Sequence, residues 1–241
     1  MRILSSDILI ADVITRVDGN VALQALITQY NLKKGGKVAI DRAQFDAFSQ
    51  AVAGHPVTIL PGGSSANVLV TLSKILGSDV SVQFIGVAGS GPHGEMIRQS
   101  LKEASITLLP ESFRADLTPM AAVSYVMLFA DGSRTIATYP GNARDILSPQ
   151  LITESLMDNT DAVLIQGSLW TKMGAAYADR LFNMSRQSGK LIWLALPTYS
   201  MPAGQHVEKF QDTITHADVV LGNEEELARI YNAAPDEALG K

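Results

Sequence analysis

VTILPGGSSANVLVTLSKILG, Val57 to Gly77, changes period in its middle. Its β-branched residues give way to Pro61-Gly62-Gly63-Ser64-Ser65, after which apolar residues recur at helical spacing. The pattern predicts a strand, a sharp turn and a helix from about Ser65 to Leu76. A helix start leaves N–H groups unpaired at the positive end of the macrodipole, and Gly62 and Gly63 would let a ligand approach that bare backbone. Asn67, one turn in, would offer its amide to a hydroxyl-rich ligand. The same residues also describe a plain strand-to-helix turn capped by Ser64 or Ser65. The stretch alone leaves both readings open.

On either side of it, short apolar runs alternate with amphipathic segments, the sign of an α/β fold with a largely parallel sheet. RILSSDILIADVI is read as an opening strand ending at Asp12, and GKVAID as a short strand between the helices ALQALITQYNL and RAQFDAFSQAVAG. VSVQFIGVAG, DAVLIQGS, KLIWLAL and ADVVLGN are further strands, with helices at GEMIRQSLKEAS, GAAYADRLFNMSRQSG, VEKFQDTITH and EEELARIYN, and ITLLPE is a strand. One segment breaks the rhythm. MAAVSYVMLFADGSRTIATYPG alternates around Asp131-Gly132, which predicts an antiparallel hairpin because glycine tolerates the positive φ of such turns. A hairpin of this kind suggests a lid beside the main sheet.

Composition narrows the function. With 19 Lys and Arg against 24 Asp and Glu, a net charge of −5 and no basic cluster, nucleic-acid binding is not expected. The absence of cysteine excludes disulfides, thiolate nucleophiles and cysteine zinc sites. No apolar run is long enough for a membrane span, and Asp7 and Asp12 interrupt the N-terminal one, so a soluble, cytoplasmic protein is expected. The phosphate-cradling G-x-x-x-x-G-K-S/T pattern does not occur.

Four local patterns carry chemistry in one reading and plain architecture in the other. Gly89-x-Gly91-x-x-Gly94, with Glu111 at the end of the next strand, has the form of a dinucleotide fingerprint, or else of a turn that needs glycines for close packing. Asn223 and Glu226 are spaced as a capping box, or as an amide and a carboxylate poised to order hydrated Mg²⁺ at a strand's carboxyl end. Asp12 is a turn residue or a ligand-binding carboxylate. Arg134 is an exposed hairpin charge or a lid arginine reaching over a ligand.

Taken in order, the strand ending in Asp12, KKGGKVAID, PGGSSANVLVTLSKILG, FIGVAGSGPHGEMIRQSLKEASI, DGSRTIATYPGNA, LIQGSLW and ADVVLGNEEELARI resemble the ribokinase-like, or PfkB, family of carbohydrate and nucleoside kinases. The similarity is greatest to its adenosine-kinase-like branch. The resemblance implies a three-layer α/β/α domain over residues 1–241, with a mostly parallel sheet and a small β-rich lid formed by about 13–60 and 112–143. It implies an ATP-dependent phosphotransferase that uses Mg²⁺ and acts on a hydroxyl of a sugar or nucleoside, with dimerisation through the lid an option.

Residue by residue, the resemblance implies that Asp12, Asn67 and the Gly62-Gly63 backbone bind substrate hydroxyls and that the glycine pair is the lid hinge. Arg134 would approach the closed site, and Asn223 and Glu226 would support Mg²⁺ and phosphate through water. The family's Gly-Ala-Gly-Asp segment, source of its anion hole and catalytic base, does not occur in these 241 residues. The expectation is therefore a C-terminally incomplete kinase, inactive as it stands, with a non-catalytic sugar- or nucleoside-binding relative as the alternative and a dinucleotide-dependent oxidoreductase behind both. Asp7-Ile8 stands where the family usually has Gly-Asn, GSGPHG replaces an acidic loop, and KLIWLAL lacks a carboxylate often found there. These departures bear on the substrate more than on the fold.

Overall fold

The computed structural model describes residues 1–109, 118–197 and 206–232. Its strands are β1 (Arg2–Ser6), β2 (Ile10–Arg16), β3 (Lys37–Ala39), β4 (Val57–Gly62), β5 (Ser81–Ile85), β6 (Ile106–Leu108), β7 (Ala122–Leu128), β8 (Arg134–Tyr139), β9 (Ala162–Gln166), β10 (Leu191–Ala195) and β11 (Val219–Leu221). The helices are α1 (Val21–Gln29), α2 (Arg42–Val52), α3 (Ser64–Leu76), α4 (Gly91–Glu103), α5 (Ala143–Ile146), α6 (Glu154–Asp158), α7 (Leu169–Lys172), α8 (Ala175–Gln187), α9 (His206–Thr215) and α10 (Glu224–Tyr231).

Ile3 and Leu4 face opposite ways on β1 and enter different cores. Ile3 joins Val82, Phe84 and Leu164 with Leu69 of α3 and Ile97 and Leu101 of α4. Leu4 joins Ile85, Val163 and Ile165 with Tyr177 and Leu181 of α8 and Ile230 of α10. A strand buried on both faces needs apolar residues at successive positions, which is why these strands read as continuous runs. The result is a six-stranded parallel sheet, ordered β11-β10-β9-β1-β5-β6, with helices on both sides. No helix among the described residues is long and apolar enough to cross a membrane.

A second, five-stranded sheet runs β3-β8-β7-β2-β4 and contains the hairpin centred on Asp131-Gly132, with Val123 opposite Tyr139 and Leu128 opposite Arg134. One of its faces carries Tyr125, stacked on Phe48 of α2 at 5.4 Å between ring centroids, and Tyr139, 4.7 Å from Phe45. This sheet corrects the opening of the chain. RILSSDILIADVI is two strands, not one: β1 lies in the main sheet, and after Asp7-Ile8-Leu9 the chain crosses into the small sheet as β2. Asp12 is thus in the middle of a small-sheet strand, paired with Leu60 and Ser124, and the residue just beyond the opening strand is Asp7. Helix α7 is an element that the sequence pattern does not predict, and Glu111 lies outside the described residues.

Tyr177 provides an alkaline handle on this core. Its hydroxyl sits 2.9 Å from Ser6 Oγ, and burial pushes its pKa up to about 12. A phenol whose pKa is raised by folding adds stability that is complete below its unfolded value near 10. That contribution disappears as pH rises through 12. Wild type is expected to lose roughly 2 kcal/mol more than Tyr177→Phe between pH 10 and 12, measured by urea unfolding. Equal losses would contradict this.

Candidate functional site

In open α/β sheets, ligands bind outside the carboxyl ends of the strands where the strand order reverses. Here that point lies between β1, from which the order runs to β5 and β6, and β9, from which it runs to β10 and β11. A pocket of about 300 Å³ opens there. Ile8 follows β1, Gln166 ends β9, Ser168 precedes α7, Lys172 comes from α7 and Ser64 from the start of α3. Ile10, Lys37, Ala39, Ala122 and Thr138 form its opposite wall on the small sheet. A main-sheet edge and a small-sheet face therefore enclose one space.

The small sheet's register explains which side chains meet it. Asp12 pairs with Ser124, Ser124 with Thr138 and Thr138 with Ala39, so these residues form a row on one face, while Val13 and Tyr125 occupy the other. Ser124 Oγ lies 2.9 Å from Thr138 Oγ1. Partial burial raises the pKa of Asp12, opposed by the Lys37 charge, a hydrogen bond with Ser124 and the Arg134 charge. Burial lowers the pKa of Lys37, helped by repulsion from Lys172 and opposed by Asp12 and Asp7. These charges are close enough to sense one another.

A carboxylate closes the floor. Asp7, 1% exposed at its side chain, accepts a 3.1 Å hydrogen bond from Lys172 Nζ at Oδ1 and one from the Ile8 N–H at 2.8 Å. Ser65 Oγ donates to its other oxygen at 3.3 Å. The buried anion is thereby satisfied, and the lysine that satisfies it also lines the pocket.

The glycine pair of Val57–Gly77 has two separate jobs. A Cβ on Gly62 would overlap the Asp12 carboxylate, so this glycine makes room for the acid. Gly63 has φ +102° and precedes α3 without a side-chain cap; its Cβ would stand 3.1 Å from the Ile8 carbonyl. The helix start is thus uncapped rather than closed by Ser64 or Ser65.

A model of the pfkB family of carbohydrate kinases matches residues 30–240. The chain belongs to that family. Among solved structures, a probable sugar kinase from Rhizobium etli is similar at 19% identity and TM-score 0.77, over 99% of this chain and 69% of that one. Adenosine kinase from Anopheles gambiae matches at 14% identity and TM-score 0.77, over 95% and 67%. Adenosine kinase from Sinorhizobium meliloti matches at 19% and 0.76, over 98% and 69%. At these identities the likeness is one of fold, and it agrees with the α/β architecture described above.

Within this pfkB-family fold the expected site residues separate. Asp12 and Gly62 meet beside the pocket. Asn67 is exposed on α3 with its backbone N–H bonded to Gly63, and Arg134 is exposed at the start of β8; neither lines the pocket. Asn223 and Glu226 form a complete capping box at α10: Asn223 Oδ1 accepts from the Glu226 N–H at 2.9 Å, and Glu226 Oε2 accepts from the Asn223 N–H at 3.0 Å. They follow edge strand β11, two strands from β9, and do not line the pocket either.

The Gly89 loop resolves toward packing. A Cβ on Gly94 would overlap the Gly89 carbonyl, and one on Gly89 the Ala121 backbone. Sequence reasoning missed Lys37, Lys172, Gln166 and Ser168. Their only local signal is position at or near a strand end.

Proposed function

We propose that the crevice is the phosphoryl-acceptor site of a kinase acting on a sugar or nucleoside hydroxyl. The observation that carries this reading is the half-buried Asp12, spaced by Gly62 and set beside a pocket at the reversal of strand order, in a chain of the pfkB family. A carboxylate there accepts hydrogen bonds from the acceptor's hydroxyls, with Ser124 beside it in the same row. Gly63 allows the small sheet to move over a bound ligand because its backbone can change at low steric cost. Residues of about 13–60 and 112–143, of which 112–117 lie outside the described residues, are the lid in this proposal, with Asn67 and Arg134 reaching the ligand on closure.

ATP as donor and Mg²⁺ are part of the proposal. Glu226 commits Oε2 to its helix cap, and no group of three His, Asp or Glu is placed to hold a metal ion among the described residues, so the donor set suits ordering of metal-bound water rather than direct ligation. Bound Mg²⁺ with the nucleotide would supply charge neutralisation of the transferring phosphoryl group. This chain's own residues hold the acceptor, exclude water from it and keep its hydroxyl in place.

Asp12→Asn tests the reading, because the carboxylate suits a ligand at a cost to the empty site. Its raised pKa means that ionised Asp12 opposes folding above the ordinary carboxylate range, and that stability rises as pH falls through the raised value. The variant is expected to be as stable as wild type or slightly more so at pH 7, by under about 1 kcal/mol given solvent screening. Its affinity for D-ribose or adenosine should fall at least about tenfold, measured by calorimetry. Unchanged affinity would remove Asp12 from the site.

A further inference from the structure

The pocket carries a charge pattern that a neutral acceptor leaves unused. Among the described residues its lining holds two ammonium groups, Lys37 and Lys172, and no carboxylate. They arrive from opposite walls: Lys37 from β3 of the small sheet and Lys172 from α7 beyond β9. Lys172 spends one donor on Asp7 and has two left, while Asp7 is itself too deeply buried to meet a ligand. Lys37 makes no ion pair within 4.0 Å and no side-chain hydrogen bond among the described residues, although it faces the same space.

We propose that the acceptor carries an anionic oxygen group of its own, a phosphate ester or a carboxylate, and that Lys37 and Lys172 are the residues that select it. This rests on the acceptor-site reading above. The two ammonium groups repel one another across the pocket, enough to contribute to lowering the pKa of Lys37. An anion between them turns that repulsion into two charge-assisted hydrogen bonds, which a neutral sugar cannot do. Asp12, outside the lining but next to it, remains for the acceptor's hydroxyls, so the two ends of the ligand meet different chemistry. A pocket of about 300 Å³ also suits a molecule the size of a monosaccharide derivative.

Calorimetry on the 241-residue chain decides it, using D-ribose, adenosine, D-ribose 5-phosphate and D-gluconate as probes. At least one anionic probe is expected to bind about tenfold or more tightly than D-ribose and adenosine, with a preference that shrinks as salt is raised. Whether the phosphate or the carboxylate probe prevails identifies the group. Lys37→Gln should remove most of that preference, and so should Lys172→Gln. Because Lys172→Gln also exposes Asp7 to loss of its partner, Lys37→Gln is the decisive variant. Neutral probes binding as tightly as the anionic ones, with Asp12→Asn still weakening them, would overturn this inference and leave the acceptor site standing. Binding of none of the four would overturn both.

Discussion

Lys172→Met is expected to destabilise the fold by about 3–5 kcal/mol, because it strands a carboxylate that water cannot reach. Asp7 is 1% exposed, and besides the lysine only the Ile8 N–H and the Ser65 hydroxyl hydrogen-bond to it among the described residues. Two neutral donors do not offset the desolvation of a full charge. Lys172 itself is 26% exposed, so Asp7→Asn should cost less: the lysine can turn to water while the amide oxygen keeps the Ile8 bond. The double variant Asp7→Asn/Lys172→Met should recover much of the loss, since the buried charge is gone. Urea unfolding of the four proteins reads this coupling as a double-mutant cycle. Additive losses would show that the pair is not an energetic unit.

Gly94→Ala and Gly89→Ala are expected to cost at least about 3 kcal/mol each, through overlap with backbone that has nowhere to go. A Cβ at position 94 would enter the Gly89 carbonyl, and one at 89 would enter Ala121. Gly89 adds a φ of +82°, which L side chains adopt only under strain. Gly91, the middle glycine of the same pattern, has open space around its missing Cβ and a φ of +80°, so Gly91→Ala should show the conformational cost alone, of about 1–2 kcal/mol. Denaturant midpoints separate the three. Equal losses would mean that the loop's glycines serve only its dihedral angles. The packing role also accounts for the Gly-x-Gly-x-x-Gly pattern without appeal to a dinucleotide.

What the sequence reveals and what it hides follow the range of the forces involved. The break at Pro61-Gly62-Gly63 and the Asp131-Gly132 turn are local: glycine's freedom and the change of hydrophobic period are visible within a few residues, and the structure places a strand-helix turn and a hairpin there. The split between β1 and β2 has no such mark. Ser6-Asp7-Ile8-Leu9 contains neither glycine nor proline, and which sheet a strand joins depends on distant partners. Asp12 was therefore recognisable as a candidate but not correctly placed.

The Asp7–Lys172 pair spans 165 residues, and Lys37 sits on a strand of only three residues. Neither has a periodicity to expose it. Asn223 and Glu226 show the opposite case, a local pattern whose cap geometry is realised in full.

The central claim is that acceptor hydroxyls bind at Asp12 between the two sheets. A crystal structure of the chain grown with saturating D-ribose or adenosine tests it most directly. The account predicts the ligand in the crevice lined by Ile8, Lys37, Ser64 and Lys172, with a hydroxyl within hydrogen-bond distance of the Asp12 carboxylate. Ligand bound at any other place, with Asp12 contacting only protein and solvent, would contradict it.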